Sequence, residues 1–460
     1  MTRRPSSPLS TPANRPSTPG TRPARRRTQR KPGSADLCTG LPVRGTNTAP
    51  APRAPCCCSG GIITVYRRVV AASGLANLGD GVRQVALPLL AAAITQDAVL
   101  VAGLTAVAYV PWMLLGLPIG ALVDRGRPER FVLWAAVTRG VLFGVLALAL
   151  VLDVRSMLLL YAVAFLLGVG EAAYDNASQS LIPRVVPDAD LERANSALVS
   201  VERLGQDLVG PAVGGVMFAA GASLPFAVSA AALLVAGVLV TGLRTPAPVV
   251  EGRPTPRAVL REAADGMRWL LRARFVRTII LTGAGLTFFT QTWEGLLVLL
   301  AVGPMGTSET VFGLMLAGGA VGGIVGAMAT APLVRRFPQR ALQITALAVA
   351  AVGNFVLAAF PAPVVAAVVL STTSFSFALW NVLSVTIRQR LVPGAVLGRV
   401  NAASRTLSMT AAPLGALAGG GLAAALDLRA PLWVSGLAMV VITGLFVAAT
   451  RDVGALSERN

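Results

Sequence analysis

A few ionisable and amide side chains stand inside otherwise apolar stretches of this chain, and these are the residues that could do chemistry. In residues 69–94, Asn77, Asp80 and Gln84 fall on one helical face, with Arg83 three positions after Asp80. That spacing allows two readings, a self-neutralising structural pair or a site for substrate or a coupling ion. In residues 156–182, Glu171, Asp175 and Ser178 recur at i, i+4 and i+7. Two carboxylates one turn apart repel when both are charged, a condition that a proton-exchanging site exploits. Asp175 stands near the end of its stretch, where water reaches it; Glu171 is deeper and is the better coupling candidate. In residues 275–301, Thr287, Gln291 and Glu294 share a face beside Phe288, Phe289 and Trp293. An acid among aromatic rings suits a cationic, apolar ligand. In residues 195–220, Arg203 and Asp207 have the i, i+4 spacing of a structural ion pair, next to Glu202 and Gln206.

Other chemistry is excluded by composition. There is no histidine, so His-ligated zinc and Ser-His-Asp catalysis are absent. The only lysine, Lys31, precedes Pro32 and cannot be a phosphate-loop lysine. Cys38, Cys56, Cys57 and Cys58 all precede the first apolar run, so the apolar body has no disulfide or thiolate metal site. No nucleophile–base set remains for an enzyme, and no cofactor or metal is expected.

The elements that must position these residues are membrane helices. Of the 460 residues 54% are hydrophobic and 13% charged, about half the charge of a soluble domain, and the mean hydropathy is +0.68. Twelve stretches are long enough to span a bilayer: 69–94, 98–123, 131–152, 156–182, 195–220, 223–243, 275–301, 310–334, 341–360, 363–387, 401–425 and 430–449. Asp80 then lies about 16 Å from the inner end of its span, near the midplane. Loops on the even side carry Arg125, Arg127, Arg130, Arg335, Arg336, Arg340, Arg388 and Arg390; loops on the odd side carry Arg155 and Arg429. Positive residues stay inside, so both termini are expected to be cytoplasmic and the protein to be a multi-pass inner-membrane protein.

Residues 1–68 hold thirteen basic residues and one acid, Asp36, and so carry +12 of the formal +19. Residues 1–64 read as a disordered Pro/Ser/Arg-rich tail, either an arm for anionic lipid or nucleic acid or the product of a miscalled start at which Val65-Tyr66-Arg67-Arg68 is the natural beginning. The latter reading is preferred, with no nucleic-acid partner. The expected organisation continues with a six-helix bundle over 65–243 and a cytoplasmic linker over 244–274. A second six-helix bundle covers 275–450, and 451–460 form a cytoplasmic tail. In the linker, Leu260, Ala264, Met267 and Leu271 alternate with Arg257, Arg261, Arg268 and Arg272 as an amphipathic surface helix would.

The halves repeat. Gln179-Ser180-Leu181-Ile182-Pro183 recurs as Gln389-Arg390-Leu391-Val392-Pro393, and Leu191-Glu192-Arg193-Ala194-Asn195 as Leu397-Gly398-Arg399-Val400-Asn401. At the first of these offsets Asn381 takes the place of Glu171. Parallel halves related by an axis along the membrane normal belong to transporters that bind substrate between them.

Gly120-Ala121-Leu122-Val123-Asp124-Arg125-Gly126-Arg127, continuing to Arg130, resembles the 2–3 loop signature of the major facilitator superfamily. Gly205, Gly210-Pro211 and Gly214-Gly215 resemble a degraded helix 5 motif of its drug antiporters. The run from Ser180 to Gly215 is most similar to the branch of macrolide and enterobactin exporters. The resemblance covers residues 69–450. It implies an all-α membrane protein, twelve helices in two six-helix bundles with a pseudo-two-fold along the membrane normal. It also implies that Gly120, Asp124, Arg125, Arg127 and Arg130 act in a conformational gate on the inner face. The pattern departs at Arg127, where the family has glycine, and at Val334, where Asp124 would repeat. The span 4 arginine of many proton antiporters would fall near Ala164.

These readings lead to a secondary transporter acting by alternating access, most simply a proton-driven exporter of amphipathic small molecules, functional as a monomer. A dedicated exporter of one metabolite such as a siderophore, or a non-transporting scaffold or sensor, are the alternatives. Asn77, Asp80, Arg83, Glu171, Asp175, Gln291, Glu294 and Asn381 are the coupling and substrate candidates.

Overall fold

The computed structural model describes residues 59–187, 190–243 and 268–451. Within these, the side chains of residues 59–64, 116–117, 120–121, 124–125, 192 and 394–395 are not described. Residues 1–58, most of the expected linker helix with Arg257, Leu260, Arg261, Ala264 and Met267, and the last nine residues of the expected C-terminal tail lie outside the described residues.

Apolar sequence with few interruptions folds as long helices because a bilayer leaves no water for unpaired backbone groups. The helices are α1 Ser59–Ile94, α2 Ala98–Arg125, α3 Pro128–Val151, α4 Met157–Val185, α5 Leu191–Arg203, α6 Gly210–Ala220, α7 Leu224–Val240, α8 Arg274–Glu294, α9 Leu297–Val302, α10 Glu309–Arg336, α11 Gln339–Ala359, α12 Pro363–Leu391, α13 Gly394–Ala425 and α14 Ala430–Ala449. A π-helical turn, Leu204–Val209, joins α5 to α6. Nine helical stretches among the described residues are long and apolar enough to cross a membrane. The remaining expected spans carry Asp80 and Arg83 in α1, a polar α5, and only 17 residues in α7.

Helix α1 starts at Ser59, inside the stretch expected to be tail. A helix already nucleated in the apolar run extends at one hydrogen bond per residue, so the uncharged stretch 59–64 can join it. The amphipathic pattern expected around Leu271 is shifted by one residue: Leu270 is buried against Val276 and Val400, while Leu271 is exposed.

Short connections make successive long helices antiparallel and give the molecule two ends. One end carries the arginine-rich turns at 126–127 and 337–338; the other carries the turns at 95–97, 152–156, 303–308 and 360–362. Acids at this second end act as caps. Asp97 accepts from the Val99 and Leu100 amides, and Asp427 from those of Arg429 and Ala430. Asp153, in the left-handed region at φ 57°, pairs with Arg155 at 2.9 Å.

Helices α1 and α3 each pack on α4 and on α7, α2 packs on α4, and α6 on α1. In the second part of the chain α10 packs on α12, α8 on α13, and α11 on α12 and α14. The two sets meet where α2 packs on α13 and α6 on α10. Glycines allow both contacts at the end opposite the arginine-rich turns. A Cβ on Gly215 would stand 2.6 Å from the Glu309 carbonyl, and one on Gly420 would stand 3.1 Å from the Ala98 carbonyl. The short α9 inserts Leu297–Ala301, all buried, into the core shared by both sets.

Candidate functional site

Four charged side chains are brought together where α1, α3 and α4 meet. Asp80 and Arg83 come from the middle of α1, Arg139 from α3 and Glu171 from α4, and all four are buried. Arg83 Nη2 donates to Glu171 Oε2 at 2.6 Å, and its Nε lies 3.6 Å from Asp80 Oδ1. Arg139 Nη2 donates to the same Asp80 oxygen. The Arg139 guanidinium also lies over the Tyr174 ring, 5.9 Å from its centre. Gly170 leaves the space for this side chain: a Cβ there would meet Arg139 Cγ at 2.5 Å and Cδ at 2.8 Å. A guanidinium at zero exposure, as Arg139 is, is tolerable in a membrane helix only with a counter-charge, and Asp80 provides it.

The local pair read from the sequence is therefore present but secondary. Asp80 and Arg83 touch, yet each finds its closer partner on another helix. Arg139 is the member of this buried cluster that sequence reasoning missed. The signal was available: an arginine in the middle of an apolar span must meet an acid. The missing span 4 arginine has a physical substitute as well. Ala164 is buried and apolar, and α4 receives guanidinium groups from α1 and α3 instead. Asp175, one turn beyond Glu171, is half-buried. Asn77 is turned to its own helix, donating to the Ser73 carbonyl at 2.9 Å, and Gln84 is exposed although it was expected to share a face with Asn77 and Asp80.

A second, accessible polar cluster lies between α2 and α8. Gln291 Nε2 donates to Glu294 Oε2 at 2.9 Å and to the Tyr109 hydroxyl at 3.5 Å. Tyr109 stands within electrostatic reach of Glu294, Glu171 and Arg83, so the two clusters face one region. Phe288 and Phe289 pack edge to face at 5.0 Å, whereas Trp293, expected beside the acid, is buried in the core. Asn381 is exposed on α12.

The side chains of Gly120, Asp124 and Arg125 lie outside the described residues; their backbone forms the last turns of α2. Arg127 is the N-cap residue of α3 without a side-chain capping bond, and both it and Arg130 are exposed. The helix 5 motif is buried: Gly210, Pro211, Gly214 and Gly215. A Cβ on Gly210 would stand 2.5 Å from Gly81 Cα, and one on Gly214 3.0 Å from the Val82 carbonyl, so α6 lies directly on α1 beside Asp80. Pro211 has no N–H for residue 207, and the Gly210 amide bonds five residues back to Gly205. The Gly-Pro irregularity takes the form of this π turn. Arg203 and Asp207 pair across it at 2.9 Å, as their spacing predicts.

A family model described as transmembrane secretion effector matches residues 61–456. The multidrug efflux pump Tap of Mycolicibacterium fortuitum is 26% identical over 399 residues, covering 83% of this chain and 95% of the pump. The enterobactin exporter EntS of Citrobacter koseri is 27% identical over 384 residues, covering 82% and 89%. Among solved structures, the nucleoside transporter NupG superposes with a TM-score of 0.68 at 12% identity, covering 84% of this chain and 98% of NupG. A bacterial homologue of the iron transporter ferroportin, in an inward-facing state, superposes with a TM-score of 0.65 at 20% identity, covering 84% and 99%.

Proposed function

Because the chain belongs to the transmembrane secretion effector family of major facilitator transporters, and is therefore a multi-pass membrane transporter and not an enzyme, we propose that it exports amphipathic small molecules in exchange for protons. The observation that carries this reading is the charge count at the α1–α3–α4 junction. Two guanidiniums, Arg83 and Arg139, pair with two carboxylates, Asp80 and Glu171; Asp175, half-buried one turn beyond Glu171 and within electrostatic reach of it, adds a third, and the added negative charge calls for a proton or another cation. Arg139 holds Asp80. Arg83 is the movable partner: when Glu171 takes a proton, Arg83 falls back on Asp80, already 3.6 Å away. The pair Glu171–Arg83 thus converts proton binding into a change of contact between α1 and α4.

In this proposal the helices form twelve spans in two six-helix halves that rock about the α2–α13 and α6–α10 contacts. The arginine-rich end faces the cytoplasm, and both termini and the linker over 244–274 are cytoplasmic. The chain works as a monomer without a cofactor, and deleting residues 1–61 leaves insertion and transport unchanged. The 2–3 loop residues Asp124, Arg125 and Arg130 serve the cytoplasmic gate. Substrate occupies the region between the halves lined by Tyr109, Gln291 and Glu294, where an amine can pair with the acid. The pump and exporter relatives support export as the direction.

A growth-inhibition panel across drug classes in an efflux-deficient host identifies a transported compound. With that compound in proteoliposomes, Glu171→Gln is expected to lower accumulation driven by an imposed pH difference at least tenfold. Downhill exchange persists, because glutamine mimics the neutral acid. A variant inserted at normal levels that still builds a gradient would remove Glu171 from the coupling role.

A further inference from the structure

Helix α13 carries an arginine that the coupling network does not use. Arg405 is exposed, eleven residues into α13, and so about 16 Å from the arginine-rich end of the molecule. No carboxylate lies within ion-pair distance of it among the described residues. Its partner is a ring, with the guanidinium carbon 5.6 Å from the centre of Trp112 on α2. Trp112 and Tyr109 are three residues apart and share a face of α2. The adjacent face of α2 is occupied by α4, where Pro111 packs on Gly168. The Tyr109–Trp112 face therefore looks across to the other half, Tyr109 towards Gln291 of α8 and Trp112 towards Arg405 of α13. An exposed, unneutralised guanidinium at this depth is tolerated facing water between protein helices, not lipid.

We propose that Arg405 and Trp112 form an anion-binding subsite between the two halves, beside the α2–α13 contact, for a planar aromatic carboxylate. The guanidinium carbon stands 5.6 Å from the centre of the Trp112 ring, and its N–H groups can form a two-point hydrogen bond with a carboxylate. The indole beside it offers a stacking surface for the aromatic body of the ligand. Glu294, some 30 Å along α8 from the arginine-rich end, lies about 14 Å deeper than Arg405. The region between the halves thus binds anions near its middle and amines at its closed end, and discriminates ligands by where their charge lies. This rests on the transport reading only in that transported molecules pass through this region; binding does not require it.

The test is equilibrium binding of 2-naphthoate, with 2-naphthamide as the uncharged isostere, to the full chain in lipid nanodiscs without a proton gradient. The wild type is expected to bind the naphthoate at least tenfold more tightly than the amide. Arg405→Gln removes that preference, and Arg405→Lys, which keeps the charge but loses the planar fork, retains part of it. Trp112→Leu weakens both ligands, because it removes the stacking surface. Equal affinities in the wild type, no measurable naphthoate binding, or a preference that survives in monodisperse Arg405→Gln each overturn the proposal. If Arg405→Gln does not fold, a preference fully retained in Arg405→Lys overturns the fork geometry. The two readings fail separately: an intact naphthoate preference beside unimpaired gradient formation by Glu171→Gln removes only the coupling role. A lost preference beside a proton-dependent gradient removes only the subsite.

Discussion

The two halves of this protein bury different kinds of polar group. Among the described residues every buried ionisable side chain belongs to the first half: Asp80, Arg83, Glu129, Arg139 and Glu171. The second half buries neutral ones, such as Gln343, Asn354, Ser376, Ser384 and Ser435. Its polar contacts are short and self-contained. Asn354 Nδ2 donates to Ser435 Oγ at 2.8 Å, and that hydroxyl donates to the Phe289 carbonyl at 2.9 Å. Its helices also approach closely through glycine, with Gly322 against the Ser371 carbonyl and Gly419 against that of Thr292. A hydroxyl that bonds a backbone carbonyl stays satisfied through any rigid movement of its half. A carboxylate between two guanidiniums has more than one arrangement of similar energy, which is the property that a coupling device needs. The comparison supports a division of labour in which the first half changes protonation and the second moves as a body.

The largest effect that would break this comparison is expected at Asp80. Asp80→Leu leaves Arg139 buried without a carboxylate and should cost about 3–5 kcal/mol, read as a collapse of the thermal midpoint in fluorescence-detected chromatography. Adding Arg139→Leu should restore most of the stability while transport stays absent. A double variant that remains as unstable as the single one would mean that the charges hold the fold together instead of serving exchange.

Next is Gly170→Val, which drives a branched side chain into Arg139 Cγ and Cδ and should cost roughly 1–3 kcal/mol. Arg139 would be displaced from Asp80 without any change in charge, so loss of gradient-driven efflux in this variant would separate position from charge. Asn354→Leu, the matching change in the second half, should cost only about 0.6–1 kcal/mol and leave pH-driven transport at wild-type rate. A strongly impaired Asn354→Leu would contradict the passive role given to that half. The smallest effect is expected at Arg203→Ala, where a largely exposed pair is worth about 0–1 kcal/mol and its loss should barely shift the thermal midpoint.

Much of the fold was legible because it is local. Apolar runs of bilayer length and the Gly210-Pro211 motif are decided within a few residues of chain. The i, i+4 pair of Arg203 and Asp207 formed as read for the same reason. Asp80, Arg83 and Glu171 were also visible, since an ionisable group in an apolar run is conspicuous wherever it lies. Which charge meets which was not visible. Asp80 and Arg139 are 59 residues apart, Arg83 and Glu171 are 88 apart, and spacing within one helix favoured Asp80 with Arg83. That pair is present as the secondary contact; burial makes every unpaired charge expensive, and the packing of α4 on α1 and on α3, with Gly170 making room, brings two arginines and their acids together. The sequence by itself determined the helices and the charges inside them; the packing alone decided the partners, because long-range electrostatics depends on distances that no local pattern encodes.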